Sequence, residues 1–134
     1  MSHFTTLQTT IKNIEALHIA CRELGLELVQ EGQARGYQGH TVYGDYVIKC
    51  KGPYDVVLNK QQDGQYALVT DWYQGHVAKE IGDSGGRLLQ TYGVVLATME
   101  ARKLGYTVSR QSMPDGSVKV VLTQAASGGG GGLK

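Results

Sequence analysis

Residues Ile81–Gly105 read IGDSGGRLLQTYGVVLATMEARKLG, and the reading of this stretch decides the fold. Leu88, Leu89, Tyr92, Val95, Leu96 and Met99 recur at spacings of three and four, which places them on one face of a helix. Arg102 and Lys103 fall in its last turn, where the negative end of the helix dipole favours cations, and Gly105 stops it. Its glycine-rich head suits a helix start. Asp83 or Ser84 would accept hydrogen bonds from the first free backbone N–H groups, while the glycines let the chain turn.

The same head, Gly-Asp-Ser-Gly-Gly, looks like the nucleophile region of trypsin-like proteases and also fits G-x-S-x-G. A serine nucleophile needs a histidine base, an orienting carboxylate and an oxyanion hole. Trypsin-like proteases need two β-barrels, and 134 residues are too few. A hydrolase elbow needs Asp and then His after the serine, with a strand running directly into the turn. Here His3, His18, His40 and His76 all precede Ser84, and the preceding strand ends about ten residues too early for an elbow. No catalytic residue is therefore assigned. One functional reading of the head remains, an anion site formed by Ser84, Gly85 and Gly86 with Arg87 in the first turn. The Walker pattern is absent.

Working outward, "SHFTTLQT" alternates as a short strand, and Ile11, Ile14, Leu17, His18, Cys21 and Leu24 form a second helical stripe. Thr9 or Thr10 would cap that helix and Gly25 end it. "LELVQE" reads as a strand, and the glycine-rich text from Gly32 to Gly44 begins as a mobile loop. "VYGDYVIKC", "YDVVLNK" and "QYALVTDWY" read as strands, the last two joined by a hairpin turn at Asp63-Gly64. Gly75 to Gly86 reads as a polar loop. "YTVSRQS" and "SVKVVLTQ" close the chain as strands around Pro114-Asp115-Gly116. The order β-α-β-β-β-β-α-β-β predicts an α+β fold, with two helices on one face of a mostly antiparallel sheet. Both helices end in Leu-Gly and run into a strand, which suggests pseudo-twofold halves across a shared sheet. Their stripes are two residues out of step when the Leu-Gly pairs are aligned.

Residues 1–124 are expected to form a single domain and 125–134, AASGGGGGLK, a flexible tail with nothing to bury. Net charge is +1, so no one-signed field favours nucleic acid or anionic lipid. Lys49, Lys51, Lys60, Lys79 and Arg87 crowd one stretch and read as a solvated face. No apolar run approaches the ~20 residues a membrane helix needs, and the start lacks the pattern of a secretory signal. Cys21 and Cys50 have no metal-ligand spacing, so the expectation is a soluble protein of a reducing compartment with no metal or cofactor.

The remaining chemistry is aromatic. In "TDWYQGH" the sole tryptophan, Trp72, stands beside Tyr73. Alternation along a strand turns one of the two outward, and Trp, Tyr and Arg are favoured interface anchors. Trp72, Tyr73, Arg87, Tyr37 and Arg35 are the expected contact surface for another protein. The rival is a small ligand-binding domain or enzyme with Asp71, His76 and Arg87 around a pocket at the second helix start. Sheet aromatics near lysines also permit a nucleic-acid platform, though no RNP motif is present.

"MSHFTTLQTTIKNIEAL", "GPYDVVL", "YALVTDWYQG" and "LLQTYGVVLATMEARKLGY" together resemble the hypothetical chloroplast open reading frame thirty-five family of cyanobacteria and algal plastids. The resemblance covers the chain to about Gln124. It implies a cyanobacterial cytoplasm or plastid stroma and no assigned activity. It also implies a small ferredoxin-type protein as partner, in iron–sulfur or photosynthetic housekeeping.

Overall fold

The computed structural model describes residues 3–124; the glycine-rich tail, 125–134, lies outside the described residues. The elements are β1 Phe4–Gln8, α1 Ile14–Glu23, β2 Glu27–Arg35, β3 Thr41–Lys49, β4 Val56–Lys60 and β5 Tyr66–Asp71. These are followed by α2 Ala78–Ile81, α3 Gly86–Lys103, β6 Tyr106–Ser112 and β7 Val118–Gln124. The class is α+β, with antiparallel strands and two long helices. The strands form two sheets rather than one shared sheet: five strands in the order β1-β5-β4-β3-β2, and the pair β6-β7. By contacts the chain divides within α3 into two compact units, Met1–Tyr92 and Gly93–Lys134.

In the first unit, Leu28, Ile48, Val56 and Thr70 are successive partners across four strands. Leu58 and Leu68 pair in the neighbouring row, and all six are buried. Because side chains alternate, Val29, Val47, Val57 and Val69 line the opposite face. Gly85 lies close to Leu7, Leu68 and Ile81, so the approach to α3 sits on the Leu68 face. The Val57 face is covered by the β2–β3 hairpin itself. Ala34 and Val42, partners in its distal half, pack with Val29, Val47, Val57 and Val69.

That packing requires the hairpin to fold back on the sheet. Glu31 takes φ 56° at the bend, a left-handed conformation unusual for a residue with a side chain. Beyond it Gly44 lies so close to Val57 that any Cβ would overlap the valine side chain. The first part of the Gly32–Gly44 text, expected as a mobile loop, thus continues β2 to Arg35, leaving residues 36–40 as the connection. Its glycines serve close backbone approach, not mobility.

Other local expectations also shift. Asn13, not Thr9 or Thr10, caps α1: its Oδ1 accepts from Ala16 N at 3.0 Å. Thr9 instead donates to Tyr66 O and accepts from Ile11 N, so Ile11 is buried ahead of the helix. The buried face of α1 is Ala16, Leu17, Ala20 and Cys21, which leaves His18 exposed. Tyr92 Oη accepts from the backbone N–H groups of Lys12 and Asn13, both at 3.0 Å, tying α3 to the start of α1. The supposed polar loop from Gly75 to Gly86 contains α2 and buries Val77 and Ile81 completely.

In the second unit, α3 from Gly93 onward leads into the β6–β7 hairpin, whose turn is closed by Asp115 Oδ1 accepting from Ser117 N. Tyr106, Val108, Val118, Val120 and Leu122 share one face of that hairpin.

Two glycines should respond oppositely to alanine. Gly44→Ala forces a Cβ into Val57 and is expected to destabilise by about 1–3 kcal/mol. Gly93, an exposed helical position with open space around a Cβ, is expected to gain about 0.5–1 kcal/mol as alanine. Urea unfolding midpoints of the two variants against wild type check both signs.

Candidate functional site

The folded-back hairpin is fastened by a buried carboxylate. Asp55 is fully buried at the start of β4. Arg35, ending β2, grips it bidentately: Nε donates to Oδ2 at 2.7 Å and Nη2 to Oδ1 at 2.8 Å. The backbone N–H groups of Arg35 and Cys50 donate to the same carboxylate at 3.1 and 3.0 Å. Burial works to raise the pKa of Asp55, but Arg35 and these amides outweigh it and hold the carboxyl below its ordinary value of 3.8. Arg35 Nη2 also donates to the carbonyls of Cys50 and Gly52. Arg35, expected in the contact surface, closes this clasp while its side chain remains 51% exposed.

Just beyond Arg35 the chain makes a tight turn, Tyr37–Gly39, and just beyond β5 it makes the same turn again, Tyr73–Gly75. Both carry the text Tyr-Gln-Gly-His, at residues 37–40 and 73–76. Gln38 and Gln74 take φ 53° and 56°, and Gly39 and Gly75 take 78° and 74°. Successive positive φ values match the type I′ turn. The two turns meet on one carboxylate. Asp71, fully buried at the end of β5, accepts from Tyr37 N through Oδ2 at 2.8 Å and from Tyr73 N through Oδ1 at 2.9 Å. Above them the Tyr37 and Tyr73 rings meet edge to face at 4.6 Å, and His3 packs on both at 4.5 and 5.3 Å. Gln38, Gly39 and Gln74 are exposed, so the tips of both turns face solvent.

Three of the expected contact residues, Tyr37, Trp72 and Tyr73, thus belong to this turn pair. β5 stops at Asp71, so Trp72 is the half-buried residue leading into the second turn rather than a strand residue. The role of Asp71 as the common anchor, and the pairing itself, escaped the sequence reading. The repeated tetrapeptide was the available signal.

Arg87 lies elsewhere. Its Nη1 donates to the carbonyls of Lys79 and Glu80 at 3.1 and 3.4 Å. It lines a concavity of about 450 Å³ together with Glu23, Leu24, Leu26, Lys51, Lys79 and Glu80. Asp71 and His76 are not among the lining residues; Asp71 holds the turns, and the His76 ring packs edge-on against Tyr54 at 5.0 Å. The proposed trio Asp71, His76 and Arg87 is not gathered. At the glycine-rich head, Ser84 is exposed with φ 52°, and Gly85 N is spent on Gly82 O. α3 starts only at Gly86, so Ser84 occupies a tight turn of its own before the helix.

Both cysteines are buried. Burial pushes each thiol up to about 12, which suppresses the reactive thiolate. Among the described residues no group of three or more His, Cys, Asp or Glu side chains is placed to hold a metal ion. Among the same residues no helix is long and apolar enough to cross a membrane.

A family model described as "Protein of unknown function (DUF1257)" matches residues 20–121. No curated protein and no solved structure matches the chain.

The clasp predicts an acid limb of stability. The folded pKa of Asp55 is depressed, so its contribution is present above pH 3.8 and is lost as pH falls through the lowered value. Unfolding midpoints measured between neutral and strongly acidic pH should fall less steeply for Asp55→Asn than for wild type. At neutral pH Arg35→Ala is expected to cost about 2 kcal/mol, less than for a fully enclosed pair because half of Arg35 is solvated.

Proposed function

The chain belongs to the DUF1257 family of proteins of unknown function, and we propose that it is a non-catalytic protein-binding module whose contact surface is the pair of Tyr-Gln-Gly-His turns. One observation carries this reading: two identical turns from distant parts of the chain stand side by side, anchored to one buried carboxylate. Surfaces that bind proteins gain from such preorganisation, because little loop entropy is lost on contact. Tyrosine adds large contact area at the cost of few torsions, and Trp72 and Tyr54 extend the aromatic material beside it. The exposed Gln38, Gly39 and Gln74 at the tips offer hydrogen bonds without charge, in keeping with the near-neutral chain.

The earlier resemblance to a family of cyanobacteria and algal plastids supplies the setting: a cyanobacterial cytoplasm or plastid stroma. It also makes a small ferredoxin-type protein the first partner to test. No redox role is assigned to this chain. Its part would be to hold or present the partner.

Immobilised wild-type protein is expected to retain a reproducible partner from a native extract of such cells. A Tyr37→Ala/Tyr73→Ala double variant keeps the backbone donors to Asp71 and should fold. It is expected to lose at least about tenfold in affinity, as removal of an aromatic anchor does. Trp72→Ala is measured in parallel. Absence of any partner in both pull-down and crosslinking, or equal retention by the double variant, would refute the surface.

A further inference from the structure

The concavity beside α2 carries a different chemistry from the turns. Three cationic side chains from three separate segments line it: Lys51 from the β3–β4 connection, Lys79 from α2, and Arg87 from the first turn of α3. They are 28 and 8 residues apart along the chain, so only the fold gathers them. Two carboxylates, Glu23 and Glu80, share the lining. Glu80 is satisfied by the backbone, since its Oε1 and Oε2 accept from Lys51 N and Gly52 N at 2.7 and 2.8 Å. Its charge therefore rests on two amides, and the neighbouring cations are not its hydrogen-bond partners. Arg87 is oriented by the carbonyls of Lys79 and Glu80 through Nη1 alone. A guanidinium has five N–H donors in a planar fork, a geometry that suits phosphate.

The remaining wall is apolar. Leu26 is buried and Leu24 half-buried at the end of α1. A volume of about 450 Å³ lies within the range of small-molecule sites. Lys51 lies close to Gly25, where a Cβ would stand 3.1 Å from the lysine Nζ. The ammonium group thus rests over the end of α1.

From this geometry we infer that the concavity is a binding site for a small phosphate ester. The phosphate is held by Lys79 and Arg87, with Lys51 completing the positive rim. The apolar part of the ester lies on Leu24 and Leu26. None of these residues belongs to the turn pair, so the site stands or falls independently of the protein-binding surface.

The test is isothermal titration of the full chain at low salt with two probes, hexyl phosphate and inorganic phosphate. Saturable one-to-one binding of hexyl phosphate, tighter than inorganic phosphate and weakened by added salt, is expected. Lys79→Ala and Arg87→Gln should each weaken it about tenfold, the loss of one charge-assisted contact. Lys60→Ala, an exposed lysine at the end of β4 and outside the lining, should leave it unchanged. Lys79 is itself exposed, so its variant keeps the test open if Arg87→Gln fails to fold. Failure of hexyl phosphate to saturate, equal affinity for the two probes, or an equal loss with Lys60→Ala would each overturn the assignment.

Discussion

A carboxylate removed from water must find donors or lose its charge, and Asp55 draws four groups around itself to keep it. Three of those groups belong to Arg35 at the far end of β2, and one to Cys50 just after β3. Meeting that demand fastens the distal half of the β2–β3 hairpin back across the sheet. The fold-back covers Val47 and Val57, which a flat hairpin would leave wet. It also carries Tyr37 to within reach of Asp71. Core, clasp and turn pair therefore all meet at the same fold-back.

The same fold-back explains the glycines. A hairpin lying directly on its own sheet leaves no room for side chains where the backbones cross, and Gly44 stands at that crossing. Glu31 accepts an unfavourable backbone conformation at the bend. That strain is offset by the apolar surface buried beyond it and by the Arg35–Asp55 pair.

Legibility in the sequence followed the range of the interaction. Local signals were readable: the stripe of α3, the Asp63-Gly64 turn and the alternation of β1 all led to the right elements. The start of α1 was misplaced because Thr9 and Asn13 are both good caps. The choice between them was made by Thr9 bonding to Tyr66, a partner 57 residues away. The fold-back was invisible for the same reason. A glycine-rich segment looks the same whether its glycines confer mobility or permit contact, and only the distant Val57 decides. Tyr37, Trp72 and Tyr73 were chosen for aromatic character and lie together in the turn pair, while Asp71, expected beside Arg87, anchors the turns instead. A buried carboxylate whose partners are backbone amides leaves no trace in side-chain pattern. Arg35 was chosen for its residue type, and its pairing with Asp55 was not foreseen, because the sequence does not reveal which arginine has a buried acid to serve.

The shared carboxylate of Asp71 has a thermodynamic consequence. Each turn holds one of its two oxygens, so the turns do not sample their conformations independently. Any coupling between the turns through this side chain would be reciprocal, acting equally from either turn on the other. Under the proposed reading, a partner that engages one turn also acts on the anchor of the other.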